Sequence, residues 1–443
     1  MTSECYPERW NHGRLATLFV ENTNKNSSLN SVEALKFCFG EIAAKPVYEL
    51  TDDLKETYRK YTVIMPDDII INGLNLNYDF VTQRVARVKT NGIITSAYIC
   101  LRPREGVFSK YYSYLFKAMD AKKIFNGMGT GIRLTLSYNL FKNMILPIPP
   151  HDEQIQIASY LDWKVSEINK LIAAKKKQIQ LLEELKLKRV DSIFLQIEEN
   201  REGPIAPIGR YIKSIESGTS VNSEYGSAEA EEYGVLATSC VYGNVFRISE
   251  NKKVSLRDYS RVKCPVKSDV VIVSRMNTPQ LVGACGYSGV SHGNIFLPDR
   301  LWQISFDKHV LPQYAWRYLS SRKVQMWFAT IATGSSSTMK NITKPQLKAV
   351  LLPCPNINVQ QDVIDKIDSI SSYYLEVETI IADQIKNLLE LKIRLISNTV
   401  TGQIDVCNIV IPDFEYVEEV SDESYEDGEE FVDDEPLDKG GDH

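Results

Sequence analysis

The chain repeats itself. Laying residues 111–199 against residues 314–402 brings the same features into the same order twice. The first copy runs from Tyr111-Tyr-Ser-Tyr-Leu-Phe116 through Gly127-Met-Gly-Thr-Gly131 and Leu146-Pro-Ile-Pro-Pro150 to a long stretch that begins at His151. The second runs from Tyr314-Ala-Trp-Arg-Tyr-Leu319 through Gly334-Ser-Ser-Ser337 and Leu352-Pro-Cys-Pro-Asn356 to a stretch that begins at Ile357. An offset of 206 aligns Pro147 with Pro353, Gln154 with Gln360, Leu161 with Ile367 and Asp162 with Asp368. A duplicated chain must build its core twice or build one core from two equivalent halves, and 443 residues exceed what a single domain ordinarily holds.

The stretches that close each copy contain no Gly or Pro from Asp152 to Arg201 or from Ile357 to Thr401. Their apolar residues recur at alternating steps of three and four, which predicts two helices with a coiled-coil seam. The seam of the first is Ala158, Leu161, Val165, Ile168, Ile172, Lys175, Ile179 and Leu182. That of the second is Ile367, Ile370, Tyr374, Val377, Ile381, Gln384, Leu388, Leu391 and Leu395. Lys175 and Gln384 interrupt it, where a buried polar group fixes register and where a lysine can equally snorkel to solvent. The prolines just before each helix force an extended entry.

The remaining segments carry short β-rich runs: Asp68-Ile-Ile-Ile-Asn72, Arg84-Val-Ala-Arg-Val-Lys89, Ser96-Ala-Tyr-Ile-Cys-Leu101, Asp269-Val-Val-Ile-Val-Ser274 and Leu301-Trp-Gln-Ile-Ser-Phe306. Asp68 with its isoleucines resembles Asp269 with its valines, so the globular parts are expected to be duplicates too. The predicted fold class is α+β, with two mixed α/β globules separated by two long helices that form an antiparallel coiled coil. The expected order is a globule at 1–150, a helix at 151–201, a globule at 202–356, a helix at 357–405 and an acidic tail at 406–443 expected to be disordered.

Chemistry is constrained by what is missing. The sequence has no G-x-x-x-x-G-K-[ST], no H-E-x-x-H and no G-x-S-x-G, and its five histidines sit in no metal-ligand spacing. Its eight cysteines include no C-x-x-C pair. Gly127-Met-Gly-Thr-Gly131 is not a dinucleotide loop, and Pro149-Pro150 is followed by His151, not by the aromatic residue of an amino-methyltransferase loop. No apolar run approaches the roughly 20 residues of a membrane span, and the first residues begin no signal peptide, so a cytoplasmic location is expected.

Net charge is −6, yet residues 413–443 alone hold 15 Asp or Glu against one Lys, which leaves the rest of the chain at +8. A basic body points to an anionic partner such as double-stranded DNA. The candidate contacts lie in turns that mix cations with amides and hydroxyls, the groups that reach phosphates and base edges. In the first globule they are Asn72, Asn75, Arg84, Arg87, Lys89 and Arg133; in the second, Thr219, Ser220, Arg275, Asn277, Gln280, Ser335 and Lys340. The acidic tail, too polar to pack a core, is expected to solvate and not to restrain DNA binding.

With these residues assembled, the chain resembles the DNA specificity subunit of Type I restriction-modification enzymes. The resemblance is carried by Pro149-Pro-His-Asp-Glu-Gln-Ile-Gln-Ile-Ala-Ser-Tyr-Leu-Asp162 and its continuation to Leu181-Leu-Glu-Glu-Leu-Lys-Leu-Lys-Arg189. Asn358-Val-Gln-Gln361 departs from the proline-led Glu-Gln motif usual in the second copy. The resemblance implies two target recognition domains, each reading one half of a bipartite asymmetric site, with the helices as spacer. It further implies a subunit with no catalysis and no cofactor of its own. Two modification subunits would bring S-adenosylmethionine-dependent adenine methylation, and restriction subunits would bring ATP- and magnesium-driven translocation and cleavage. A non-catalytic coiled-coil scaffold joining two protein-binding globules is the rival expectation.

Overall fold

The computed structural model describes residues 6–38, 40–46, 49–77, 83–131, 134–224, 226–334 and 339–418. The chain divides into two compact units, residues 1–176 with 382–443 and residues 177–381. The division cuts through both long helices, so each unit is a globule together with half of each helix.

Both helices form where Gly and Pro are absent, the first over His151–Glu199 and the second over Ile357–Val400. In the first unit, Ile157, Tyr160 and Leu161 from the start of one helix share a core with Ile396 and Val400 from the end of the other. In the second unit, Phe194 and Ile197 share a core with Val363, Ile364 and Ile367. The start of one helix therefore meets the end of its partner in both units, which is an antiparallel arrangement within each.

The two globules repeat one topology. In the first, a four-stranded antiparallel sheet has the order Phe19–Glu21, Ile99–Pro103, Ile69–Ile71, Val85–Arg87. In the second the order is Ile212–Glu216, Leu301–Phe306, Val270–Ser274, Cys285–Ser288. Of the central strands, Ile69–Ile71 and Val270–Ser274 are fully buried, in keeping with their β-branched runs. Each sheet is followed by a Tyr-rich helix, Ser109–Ala121 or Pro312–Leu319. Each globule closes on a short strand before its long helix, Ile145–Ile148 paired with Asn11–Arg14 and Leu351–Pro353 paired with Ile205–Pro207.

The same joint fastens globule to helix in both units. Tyr112 donates to the Pro147 carbonyl at 3.1 Å, and Tyr314 to the Pro353 carbonyl at 2.8 Å. Gln154 donates to the Pro149 carbonyl at 2.9 Å, and Gln360 to the Pro355 carbonyl at 2.8 Å. Asp162 takes Lys110 and the Tyr114 hydroxyl, while Asp368 takes Arg317. These bonds give the buried tyrosine hydroxyls and glutamine amide nitrogens of both joints their acceptors.

Of the predicted seam residues, Leu161, Ile168, Ile172, Ile367, Tyr374 and Ile381 are buried. Val165, Ile179, Leu182, Ile370, Val377 and Leu388 are half-buried. Leu391 corrects the prediction, being 52% exposed while Lys392 is 6% exposed in its place. A straight helix has 3.6 residues per turn, so a strict 3.5-residue count drifts round the surface by one position over several turns. Gln384 is exposed and Lys175 only half-buried, so neither is the buried polar seam residue. That place belongs to Asn169, whose carbonyl oxygen accepts from Lys392 at 3.4 Å.

Of the segment expected as tail from residue 406, residues 406–418 are described, and part of it is held by the first long helix. Ser166 and Asn169 on the first long helix hold the backbone of Glu415 and Val417 by hydrogen bonds of 2.7–3.0 Å.

Candidate nucleic-acid interface

Structure brings the candidate loops together in pairs, and does so alike in both units. In the first, the loop after the central strand meets the glycine loop: Leu136 N donates to Gly73 O at 2.9 Å, and Asn126 to the Leu76 carbonyl at 2.6 Å. A Cβ at Gly73 would lie 2.7 Å from the Leu136 carbonyl oxygen, so only glycine permits this approach. In the second, Met276–Asn277 pairs as a short strand with Lys340–Asn341, and Ile342 N donates to Arg275 O at 2.9 Å. The turn containing Thr219 and Ser220 joins neither loop; it is tied to Arg261, which accepts from Thr219 Oγ1 at 2.6 Å through its carbonyl and donates to Ser220 O at 3.3 Å.

Two of the candidates face inward. Arg84 is fully buried, and its guanidinium donates to the carbonyls of Asn72, Leu74 and Asn75 at 3.1, 2.8 and 3.4 Å. Its backbone N–H donates to Asp120 at 2.7 Å. It holds the loop to the sheet edge, which is why a cation can be buried there. Asn277 is 6% exposed and is bonded to Ser274, Tyr242 and Thr278 N. Asn72 spends its side-chain oxygen on Leu74 N at 3.1 Å, an Asx turn that shapes the same loop. Asn75 takes a left-handed φ of 51°, a conformation asparagine tolerates.

The outward set is Arg87, Lys89, Ser220, Arg275, Gln280 and Lys340, all half-buried or exposed. Arg133 and Ser335 lie outside the described residues. Arg87 and Lys89 stand on and just beyond the edge strand of the first sheet. Arg87 is paired with Asp67 at 2.8 Å, and Lys89 with Glu41 at 3.3 Å and with Glu418. Partial burial works against the Lys89 ammonium, but Glu418 and Glu41 outweigh it and hold the group above the ordinary lysine range.

Composition and spacing of turns missed a second group of cations. Lys110 and Lys117, seven apart on the Tyr-rich helix, join Arg87, Lys89 and Lys123 around a cavity of about 460 Å³ in the first unit. Their helical spacing places them on one face and was the available signal. In the second unit Arg317 stacks over Trp316 at 3.9 Å while burial pulls its pKa down against the pull of Asp368. Among the described residues no group of three His, Cys, Asp or Glu is placed to hold a metal ion, and no helix is long and apolar enough to cross a membrane.

Comparison with known proteins agrees with the duplication. The model of the Type I restriction modification DNA specificity domain matches twice, over residues 49–181 and 212–387. The type I restriction enzyme MjaVIII specificity subunit of Methanocaldococcus jannaschii is 22% identical over 91% of this chain and 95% of its own length. The EcoKI specificity subunit of Escherichia coli is 18% identical over 69% of this chain and 67% of its own. A solved chain, described with the complex assembly and conformational transition of the type I R-M system, superposes with a TM-score of 0.61 at 13% identity, covering 90% of this chain and 99% of its own. With two matches that together span most of its length, the chain belongs to the family of Type I restriction-modification DNA specificity subunits.

Proposed function

We propose that each unit of the chain binds one half of a bipartite, asymmetric DNA sequence, and that the two long helices set the spacer and dock modification subunits. As a member of the specificity family the chain is a recognition component and not the enzyme. Partner subunits supply the chemistry, two modification subunits with S-adenosylmethionine and restriction subunits with ATP and magnesium.

The observation that carries this reading is the repeated joint. Tyr112 and Tyr314, Gln154 and Gln360, and Asp162 and Asp368 fasten two globules of like topology to the helices in the same way, while the loops at 72–76 and 275–280 differ in sequence. Equivalent frames with unequal loops equip one chain to read two distinct half-sites, which a homodimer cannot do. Phosphate contacts from Arg87, Lys89 and Lys340 position the duplex, and Arg275 and Gln280 reach base edges.

Sequencing of methylated adenine in cells that express the chain with modification subunits tests this reading. The expected pattern is a split motif with two different halves and a fixed gap. Loops 274–280 grafted from a relative should change one half only; change in neither half, or in both, rejects the assignment of one unit to one half. A scaffold that ignores DNA would leave no motif dependent on this chain.

A further inference from the structure

The described part of the C-terminal segment, up to Glu418, is held against the first long helix and reaches Lys89. Beyond the second long helix, Gln156 donates to the Val406 and Ile409 carbonyls at 3.0 and 2.7 Å. Ser166 then donates to Glu415 O at 2.9 Å and accepts from Val417 N at 2.7 Å, and Asn169 donates to Val417 O at 3.0 Å. Ser166 and Asn169 are 1% and 5% exposed, so the side chains that hold this strap are themselves buried. It delivers Tyr416 to the wall of the cationic cavity and Glu418 to Lys89. Glu41 already bridges Lys89 and Lys117 at 3.3 and 3.6 Å, so the carboxylate of Glu418 is an additional anion on cations that have one. From that anchor the sequence continues into 12 further Asp or Glu and a single Lys.

Resting on the DNA reading above, and against the expectation from composition that the tail only solvates, we propose from the Glu418–Lys89 pair that this segment is a tethered polyanion that competes with DNA phosphates for Lys89 and the cations around it in the first unit. The strap fixes where the charge begins, and tethering raises its effective concentration at the cations. Its charge density is well below that of the duplex, which carries one charge per about 1.7 Å. Acid residues on an extended chain at roughly 3.3 Å per residue cannot match it. The tail therefore yields to well-fitted DNA and suppresses loose, sequence-independent contact.

The test compares three proteins on a non-specific duplex by fluorescence anisotropy across a salt series. They are the intact chain, the chain without residues 413–443, and a full-length variant with every Asp and Glu of 419–443 changed to Asn or Gln, which keeps the strap. Both altered proteins should bind at least tenfold more tightly than the intact chain at about 50 mM salt, with the gap closing as salt rises and screening weakens both contacts. Equal affinity of all three overturns the tail proposal and leaves the DNA reading standing. A gain on truncation but none on neutralisation also overturns it, because the strap and not the charge would then be responsible. Binding by none of the three overturns the proposal together with the DNA reading.

Discussion

Individual side chains were the least legible level. Polar residues in a turn are candidates for contact whichever way they point, and direction is decided by neighbours distant in sequence. Arg84 and Arg87 are three apart in one basic run, yet Arg84 ties down the 72–76 loop and Arg87 stands at the rim with Asp67. Arg84→Ala should therefore cost about 2–4 kcal/mol in denaturant unfolding, since it leaves buried carbonyls unpaired, while half-site preference is unchanged in what still folds. Lys89→Ala should do the reverse, leaving stability within about 0.5 kcal/mol and weakening all DNA sequences alike, because a phosphate contact carries no sequence information. Arg275→Ala and Gln280→Ala should each cost about 1–3 kcal/mol of binding and relax one half-site only. Their detection as candidates was possible from the turn after Val270–Ser274; the removal of Asn277 was not, because its partner Tyr242 lies 35 residues earlier. One pair gives a pH signature. Hydrogen bonds from Lys267 at 2.7 and 2.8 Å hold the Glu216 carboxyl below the usual glutamate range. A depressed folded pKa adds stability above the unfolded value and loses it as pH falls through the folded one. Glu216→Gln should lower neutral-pH stability by less than about 1 kcal/mol, given a solvent-screened pair, and in paired urea titrations the difference should shrink as pH falls below the ordinary glutamate range and through the depressed folded value.

Elements were read more fully than residues. Helix is dictated locally by the absence of Gly and Pro, and strands by short β-branched runs, so both long helices and the predicted strands stand where their composition puts them. Register failed over distance. A seam counted at 3.5 residues places Leu391 inside, and the accumulated drift puts Lys392 there with Asn169 as its partner. The C-terminal strap was illegible for a different reason: its backbone is held by side chains of another element, and composition reports only charge. If the helices set the gap between half-sites, four residues inserted within Lys175–Lys188 lengthen that helix by about 6 Å against about 3.4 Å per base pair. The spacer in methylated sites should grow by one or two base pairs with both halves unchanged. An unaltered spacer would show that something other than helix length positions the globules.

At the level of the whole molecule, duplication was the feature the sequence displayed most plainly, because insertions in loops leave the repeat of strand, Tyr-rich helix, proline entry and long helix intact. What alignment along the chain could not show is that each compact unit draws on both helices. The purified chain should transfer no methyl group and cut no DNA, and both activities should appear on addition of partner subunits; labelled S-adenosylmethionine with a bipartite substrate checks this. The way the units divide the chain also sets an order of events at the ribosome. Residues 177–381 are contiguous, so that unit can close as soon as Ile381 is free. The other unit needs Ile396, Val400 and Val406 for its core, with Trp10 packed close over Gly402. Its first 176 residues must wait through the synthesis of the entire second unit with a row of apolar side chains uncovered. Domains usually complete themselves from the N-terminus onward; here the one begun first is finished last. A chain that ends at Ile381 and has been released should accordingly resist protease between Lys177 and Ile381 and be cut before Lys176, which makes the waiting half the one that a chaperone must hold.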